Sequence, residues 1–341
     1  MNKKTGKKKN ITVNDIAQAV GMSASTVSRA LANHPKISKK SKEIIWKTAK
    51  KLGYLSNVPA YLQNNQSKII VILIDNQQIY SGQRIIETIQ KYIEENNFQV
   101  LIKYINPDDI GVEKIFENLS KIDISGFVSL IYQKKLSKQF VSLANEYNIP
   151  VVALHQPEAK NVYAHIIPDY FNGMTMLIEH LTKRKAKNII LINHHELTYA
   201  NELEKAFYSV IDKYPMINNN DIINIKNDYK LLKYSIEKLL RQQNKIDGFI
   251  VADYQTALQL HYLLTAKKYQ IPGDIMICSF GNENTGEFLF PKITGVSCSL
   301  TEMGKITGKK IIEAVNRNNN ETQLIIKQVK LIIRNSTMRI S

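Results

Sequence analysis

Apolar residues along this chain keep one period up to about residue 53 and another from residue 69 onward. In the first block Ile16, Ala17 and Val20 fall at i, i+1 and i+4. Val27, Ala30 and Leu31 fall at i, i+3 and i+4, so each stretch buries one stripe of a helix. Thr12, with Asp15 three residues on, predicts a capped helix starting near Val13. Gly21 stops it where a positive backbone angle is needed. Ser23 is placed to cap a second helix and Ser38 a third, whose stripe of Ile44, Ile45, Ala49 and Leu52 runs to Gly53. The expected core is Ile16, Val20, Val27, Leu31, Ile45 and Leu52. The small Ala17 and the tight turn at Gly21 let the first two helices cross closely, as in a helix-turn-helix. Ala24, Ser25, Ser28 and Arg29 are then left pointing outward.

From residue 69 the pattern becomes short apolar runs alternating with amphipathic stretches. "IIVILI" (69–74), "VLIKYI" (100–105), "GFVSLIY" (126–132) and "VVAL" (151–154) form one series. "NIILIN" (188–193), "IINI" (222–225), "GFIVA" (248–252) and "IMICSF" (275–280) form a second. Helical spacing lies between them near 83–97, 110–121, 136–148, 171–184, 200–213, 229–242 and 254–268. Strands alternating with helices at this interval predict parallel sheets covered on both faces. Two series of about a hundred residues each predict two doubly wound α/β subdomains, with ligand expected between them at the carboxyl ends of the strands. The polar segment "SNVPAYLQNNQSK" (56–68) separates the two regimes and reads as a linker.

Charge sharpens this division. Residues 1–68 carry 14 lysines and arginines against Asp15 and Glu43, whereas the other 273 residues carry 32 against 28. A basic head on a nearly neutral body is the footprint of a nucleic-acid-binding module joined to something else. The opening "MNKKTGKKKN" is followed by no apolar stretch, and no run approaches the roughly 18 residues of a membrane span. A cytoplasmic protein is therefore expected. Cys278 and Cys298 lack metal-ligand spacing and read as reduced core residues. "NHHE" (193–196) invites a metal reading, but adjacent histidines on a loop point apart and lack i, i+4 spacing. No phosphate-binding loop or nucleophile elbow appears, so neither enzyme nor cofactor is expected.

The stretch "ITVNDIAQAVGMSASTVSRALANHPKISKKSKEIIWKTAKKLGYLSN" resembles the head of the lactose-repressor (LacI/GalR) family, through "TVSRAL", the "IS" before the third helix and the closing "LGY". The rest of the chain fits that family's plan, so the resemblance spans about 11–341. It implies a homodimeric transcription regulator, a repressor, with a type I periplasmic-binding-protein-like body and a small-molecule effector. The domains expected are a basic tail (1–10), a helix-turn-helix head (11–56), a hinge (57–68) and an effector and dimerisation domain (69–341). Within the last, lobe 1 is assigned about 69–166 and 293–321, and lobe 2 about 167–292 and 322–341. The final "LIIKQVKLIIRNST" is expected as a strand pair in the second lobe.

By the same resemblance Arg29 reaches a guanine edge in a pseudo-palindromic operator, and Ala24 and Ser25 hold the principal specificity positions. Thr12, Ser23, Thr26, Ser28, Asn33 and Tyr54 are expected to position the DNA backbone, with Lys36 adding charge and Asn57 also contacting DNA. Leu62 matches the leucine that wedges the minor groove, although the spacing from Asn57 is one residue short. The effector pattern departs further. Leu203 stands where sugar-binding members have an arginine and Ala206 where they have a glycine. Ala252-Asp253 keeps only the acid of an Asn-Asp pair, Gly281 and Asn282 replace two carboxylates, and His155 stands where an aspartate is frequent. Tyr80, Asp169, Leu203, Asp253 and Asn282 are the positions expected to face an effector. Two readings of the body follow: a cleft for a less polar or differently charged molecule, or a dimerisation or partner-protein platform with no sugar effector. A solute-binding transport protein shares the body fold but not the basic head.

Overall fold

The computed structural model describes residues 11–31, 34, 36–52, 54, 69–75, 79–105, 112–119, 122, 124–217, 221–226, 228–242, 245–281, 290–316 and 322–338. The basic tail and the segment 57–68 lie outside them.

The head is three helices, α1 (Val13–Val20), α2 (Ala24–Leu31) and α3 (Lys39–Leu52). Thr12 caps α1 in a reciprocal box: its hydroxyl accepts from the Asp15 N–H, and its own N–H donates to Asp15 Oδ2 at 2.7 Å. Gly21 closes the helix at φ 67°, a left-handed angle that costs glycine nothing. Ile16, Ala17, Val27, Ala30, Ile45 and Ala49 form the buried core, with Val20 and Leu31 half-buried against it. One expected core member, Leu52, and its stripe neighbour Ile44 are not buried. Ile44 and Leu52 are 44% and 37% exposed, because the small Ala30 and Ala49 bring the helices together in their place.

The body is two six-stranded sheets. The first runs β11-β5-β4-β3-β1-β2, from β1 (Ile69–Asp75), β2 (Gln99–Ile105), β3 (Ile124–Leu130), β4 (Val151–Leu154), β5 (Ala164–Pro168) and β11 (Gln323–Lys327), all parallel. The second runs β12-β10-β9-β8-β6-β7, from β6 (Ile189–His194), β7 (Ile222–Ile225), β8 (Gly248–Val251), β9 (Met276–Phe280), β10 (Thr294–Ser297) and an antiparallel edge, β12 (Lys330–Ile332).

Alternation along each strand decides which helix it meets. On β1, Val71 and Leu73 face α5 (Val112–Leu119) and α6 (Lys134–Glu146), whereas Ile70, Ile72 and Ile74 face α4 (Ile79–Glu95) and α11 (Leu300–Asn316). In lobe 2, Ile190 and Ile192 pack on α9 (Tyr229–Gln242) and α10 (Tyr254–Ala266). The opposite face, with Ile189 and Leu191, packs on α7 (Tyr170–Thr182) and α8 (Ala200–Ile211). All seven residues of β1 are buried, as a parallel strand covered on both faces requires.

The lobe boundaries differ from the sequence reading. The chain crosses after β5 near 169, after β10 near 298 and after β11 near 328, rather than near 166, 292 and 322. Thus β10 completes the second sheet, and "LIIKQVKLIIRNST" is no strand pair: β11 lies in the first sheet and β12 in the second. Strands β5 and β10 escaped the pattern because "AHIIP" ends in proline and "TGVS" holds a single large apolar residue. Helix α11 escaped it because glycines interrupt its apolar stripe. Those glycines are what α4 packs against: a Cβ at Gly304 or Gly308 would stand 2.8–2.9 Å from Thr88 or Tyr92.

Candidate functional sites

Among the described residues, polar chemistry that bears on function gathers at two places. The first is the outer face of α2. Val27 and Ala30 are buried and fix the helix on the head, which turns Ser25, Ser28 and Arg29 outward into solvent. Ser23 caps α2 by accepting from the Thr26 N–H at 3.1 Å. Its hydroxyl also lies 3.0 Å from that of Ser25 and 2.8 Å from that of Thr26. The cap therefore orients two of the hydroxyls offered beside Arg29. Ala24 is half-buried at the start of the helix, Thr12 and Lys36 are exposed, and Tyr54 packs against the head core. Asn33, Asn57 and Leu62 lie outside the described residues. Ser38 caps α3 by accepting from Ser41 N–H, and Lys39, Lys40 and Lys47 stand exposed along that helix. A cation flanked by short hydroxyls on a rigid, exposed helix suits the donor and acceptor pattern of a major groove, with lysines placed for phosphates.

The second place is the junction between the lobes, where the carboxyl ends of the strands converge. Asp75, at the end of β1, accepts the N–H groups of Tyr132 at 2.6 Å and Gln133 at 3.2 Å. From the other lobe the segment 196–198 pairs with this stretch. Lys134 N–H donates to the Glu196 carbonyl at 2.8 Å and Thr198 N–H to the Tyr132 carbonyl at 2.7 Å, bracketing an antiparallel bridge between Gln133 and Leu197. The Thr198 hydroxyl donates to the His155 carbonyl at 2.5 Å. At the rim Glu158 accepts from Asn201 at 2.6 Å and pairs with Lys134 at 3.1 Å. Beneath this lies a group of rings, the buried Tyr170 and Tyr199 and the half-buried Tyr132 and His155. His155 Nδ1 is 2.8 Å from the Tyr170 hydroxyl. Burial lowers the His155 pKa to about 4 and raises that of Tyr170 well above the ordinary tyrosine value.

The residues expected to face an effector are mostly occupied otherwise. Leu203 is fully buried on the core face of α8, so it offers a ligand nothing. Asp169 caps α7 through the Asn172 N–H at 2.9 Å. Asp253 caps α10 through the Thr256 N–H at 2.8 Å, accepts the Thr256 hydroxyl at 2.8 Å and meets His194 Nε2 at 2.9 Å. Burial would raise its pKa, but the bonds from His194 and Thr256 hold the carboxyl below its usual value. Tyr80 lies in the first turn of α4 with its side chain outside the description, and Asn282 is outside the described residues. His194 is buried and His195 exposed, so the two imidazoles point apart. Sequence reasoning missed Tyr132, Tyr170 and Tyr199. Their one signal was position: Tyr132 lies two residues past β3, Tyr170 opens α7 and Tyr199 precedes α8.

Known proteins resemble this chain in both its head and its body. Residues 12–57 match "Bacterial regulatory proteins, lacI family", and residues 178–337 match "Periplasmic binding protein-like domain". Together they span more than half of the chain. The chain is 22% identical over 340 residues to the probable HTH-type transcriptional repressor ExuR of Bacillus subtilis (strain 168), covering 97% of this chain and 99% of that protein. It is 21% identical over 314 residues to the HTH-type transcriptional repressor PurR of Glaesserella parasuis serovar 5 (strain SH0165), covering 91% and 92%. Among solved structures, the lac repressor dimer bound to operator and the anti-inducer ONPF superposes with a TM-score of 0.69 at 18% identity, covering 97% of this chain and 100% of that one. Likeness at that identity shows the fold.

Proposed function

The chain belongs to the LacI/GalR family of bacterial transcription regulators, and from that premise we propose that a homodimer of it represses transcription from a pseudo-palindromic operator. Each protomer reads one half-site through α2. Arg29 pairs with a guanine, a contact that discriminates by about 1–3 kcal/mol. Ala24 and Ser25 read by close contact rather than by long bidentate donors, while Thr12, Ser23, Thr26, Ser28, Asn33, Lys36, Tyr54 and Asn57 hold the backbone and Leu62 enters the minor groove. The observation that carries this reading is the exposed Ser25, Ser28 and Arg29 face of a helix whose other face is locked by Val27 and Ala30. Operator binding places the protein in the cytoplasm, with a body that binds rather than catalyses.

The interlobe site takes a small effector that shifts the balance between lobe arrangements. A coupling of about 1–3 kcal/mol would change operator affinity from several-fold to a hundredfold. A sugar is disfavoured as that effector. A polyol needs paired donors and acceptors at every hydroxyl, at roughly 1–3 kcal/mol for each one left unpaired, and Asp169, Asp253 and Leu203 are spent on caps and core. The same spent residues are what favours the second reading, a body serving as a dimerisation or partner-protein platform.

The experiment is to incubate the full-length protein with fragments of its own genome at near-physiological salt and sequence what is retained. Enrichment of a short pseudo-palindrome is expected. Retention without sequence preference would overturn the operator reading.

A further inference from the structure

The ring of Tyr199 belongs to lobe 2, stacks on a ring of its own lobe and reaches across the junction to two more. It lies face to face with Tyr170, centroids 5.5 Å apart and planes 11° apart. It also meets two lobe 1 rings, His155 at 5.9 Å and Tyr132 edge-on at 6.3 Å. The residue is 6% exposed. The backbone that delivers it is bonded to the opposite lobe at the Glu196 carbonyl and at both the N–H and the hydroxyl of Thr198. A phenol ring is thus carried over on a strap and seated in a slot walled by three other rings.

Such a slot selects by shape and polarity. Its walls offer π-faces and ring edges, which favour offset or edge-on stacking of another flat ring. The polar atoms at the His155 end bond each other, Nδ1 to the Tyr170 hydroxyl. Of the nearby carboxylates, Asp253 accepts from Thr256 and His194, and Asp75 accepts the N–H groups of Tyr132 and Gln133. A sugar brought here would leave hydroxyls unpaired, whereas a planar aromatic molecule would replace like with like.

We propose that Tyr199 is a built-in occupant of a one-ring slot between the lobes, latching the body closed, and that the effector class is a planar aromatic molecule that takes the place of this ring. The second clause rests on the effector reading of the cleft given above. Apolar cavities of roughly 150 Å³ stay dry and bind benzene-sized guests, so truncating the tyrosine should leave a receptor for its own side chain.

The test uses full-length protein with Tyr199→Ala, Tyr199→Phe and Asn201→Ala, 4-methylphenol as the aromatic probe and glucose as the polyol. By calorimetry, Tyr199→Ala should bind 4-methylphenol at least tenfold more tightly than the parent and ignore glucose. Its radius of gyration in small-angle scattering should exceed the parent's and shrink on adding the probe. Tyr199→Phe, which keeps the ring, should match the parent in both. An alanine variant that scatters like the parent and binds the probe no better overturns the proposal, as does a phenylalanine variant that behaves like alanine. Should circular dichroism show Tyr199→Ala unfolded, Asn201→Ala carries the test, since it removes only the rim bond to Glu158. Loosening the latch there should tighten probe binding several-fold, and no change overturns the slot. Operator affinity measured with and without the probe separates the two readings. Binding without any effect on DNA supports the slot and sinks the effector role, whereas absent probe binding beside intact operator selection sinks the slot alone.

Discussion

Mild acid should weaken the folded protein through His155. Its ring is half-buried among Tyr132, Tyr170 and Tyr199, and that desolvation lowers its pKa to about 4, against 6.5 for an unperturbed imidazole. Above the unfolded value neither state is protonated, and the folded state loses nothing. As pH falls below it, the unfolded chain takes up a proton that the folded protein refuses until pH nears 4. The folded pKa is depressed, so stability is lost across that window as pH falls, at up to about 1.4 kcal/mol per pH unit, or roughly 3 kcal/mol in all. The perturbation that isolates it is His155→Asn, because asparagine also accepts the left-handed backbone found there, φ 54°. Urea unfolding of parent and variant between about pH 7 and 4.5 reads both curves. The variant should start less stable, having lost ring contacts, yet its curve should be flatter by up to about 1.4 kcal/mol per unit. Its curve should still slope, because His180, held to about 4 by burial and by the nearby Arg184 and Lys183, remains. Parallel curves for parent and variant would refute the reasoning.

Three further outcomes are expected. Arg29→Ala should abolish preference for the operator over random duplex in competition binding while leaving weak, salt-sensitive association; a variant with full preference would unseat Arg29. Leu203→Arg, which restores the residue common in sugar-binding relatives, should not create a sugar site. It should lower the urea midpoint by the equivalent of several kcal/mol, because the position is fully buried and a charge there has no partner, and saturable sugar binding by calorimetry would contradict this. Gly308→Val should cost about 1–3 kcal/mol by overpacking α11 on α4, where the first added carbon already stands 2.9 Å from Tyr92; thermal melting checks it.

Periodicity and local chemistry fixed much of this molecule in advance. The box at Thr12 and Asp15, the left-handed Gly21 and the cap at Ser23 are decided by residues within three or four positions of each other, so they can be read directly. The same holds for which faces of α2 turn inward and outward. The apolar runs of β1, β3 and β6 announced buried parallel strands because burial on both faces leaves little room for polar residues short of the strand ends.

What the linear pattern could not supply depended on partners far along the chain. Leu52 looked like core, but whether a stripe residue is covered depends on how closely the neighbouring helices approach, and alanines set that distance. The lobe assignment of β10, β11 and β12 rested on which sheet edge each strand met, since three or four residues carry no address of their own. At the cleft the sequence told which family residues were missing, because absence is legible one position at a time. That four rings from separate strands and helix starts would gather at the junction was settled only by tertiary structure. The reason is physical: an apolar ring lowers its free energy by burial against any partner, and only the folded topology decides which partners are within reach.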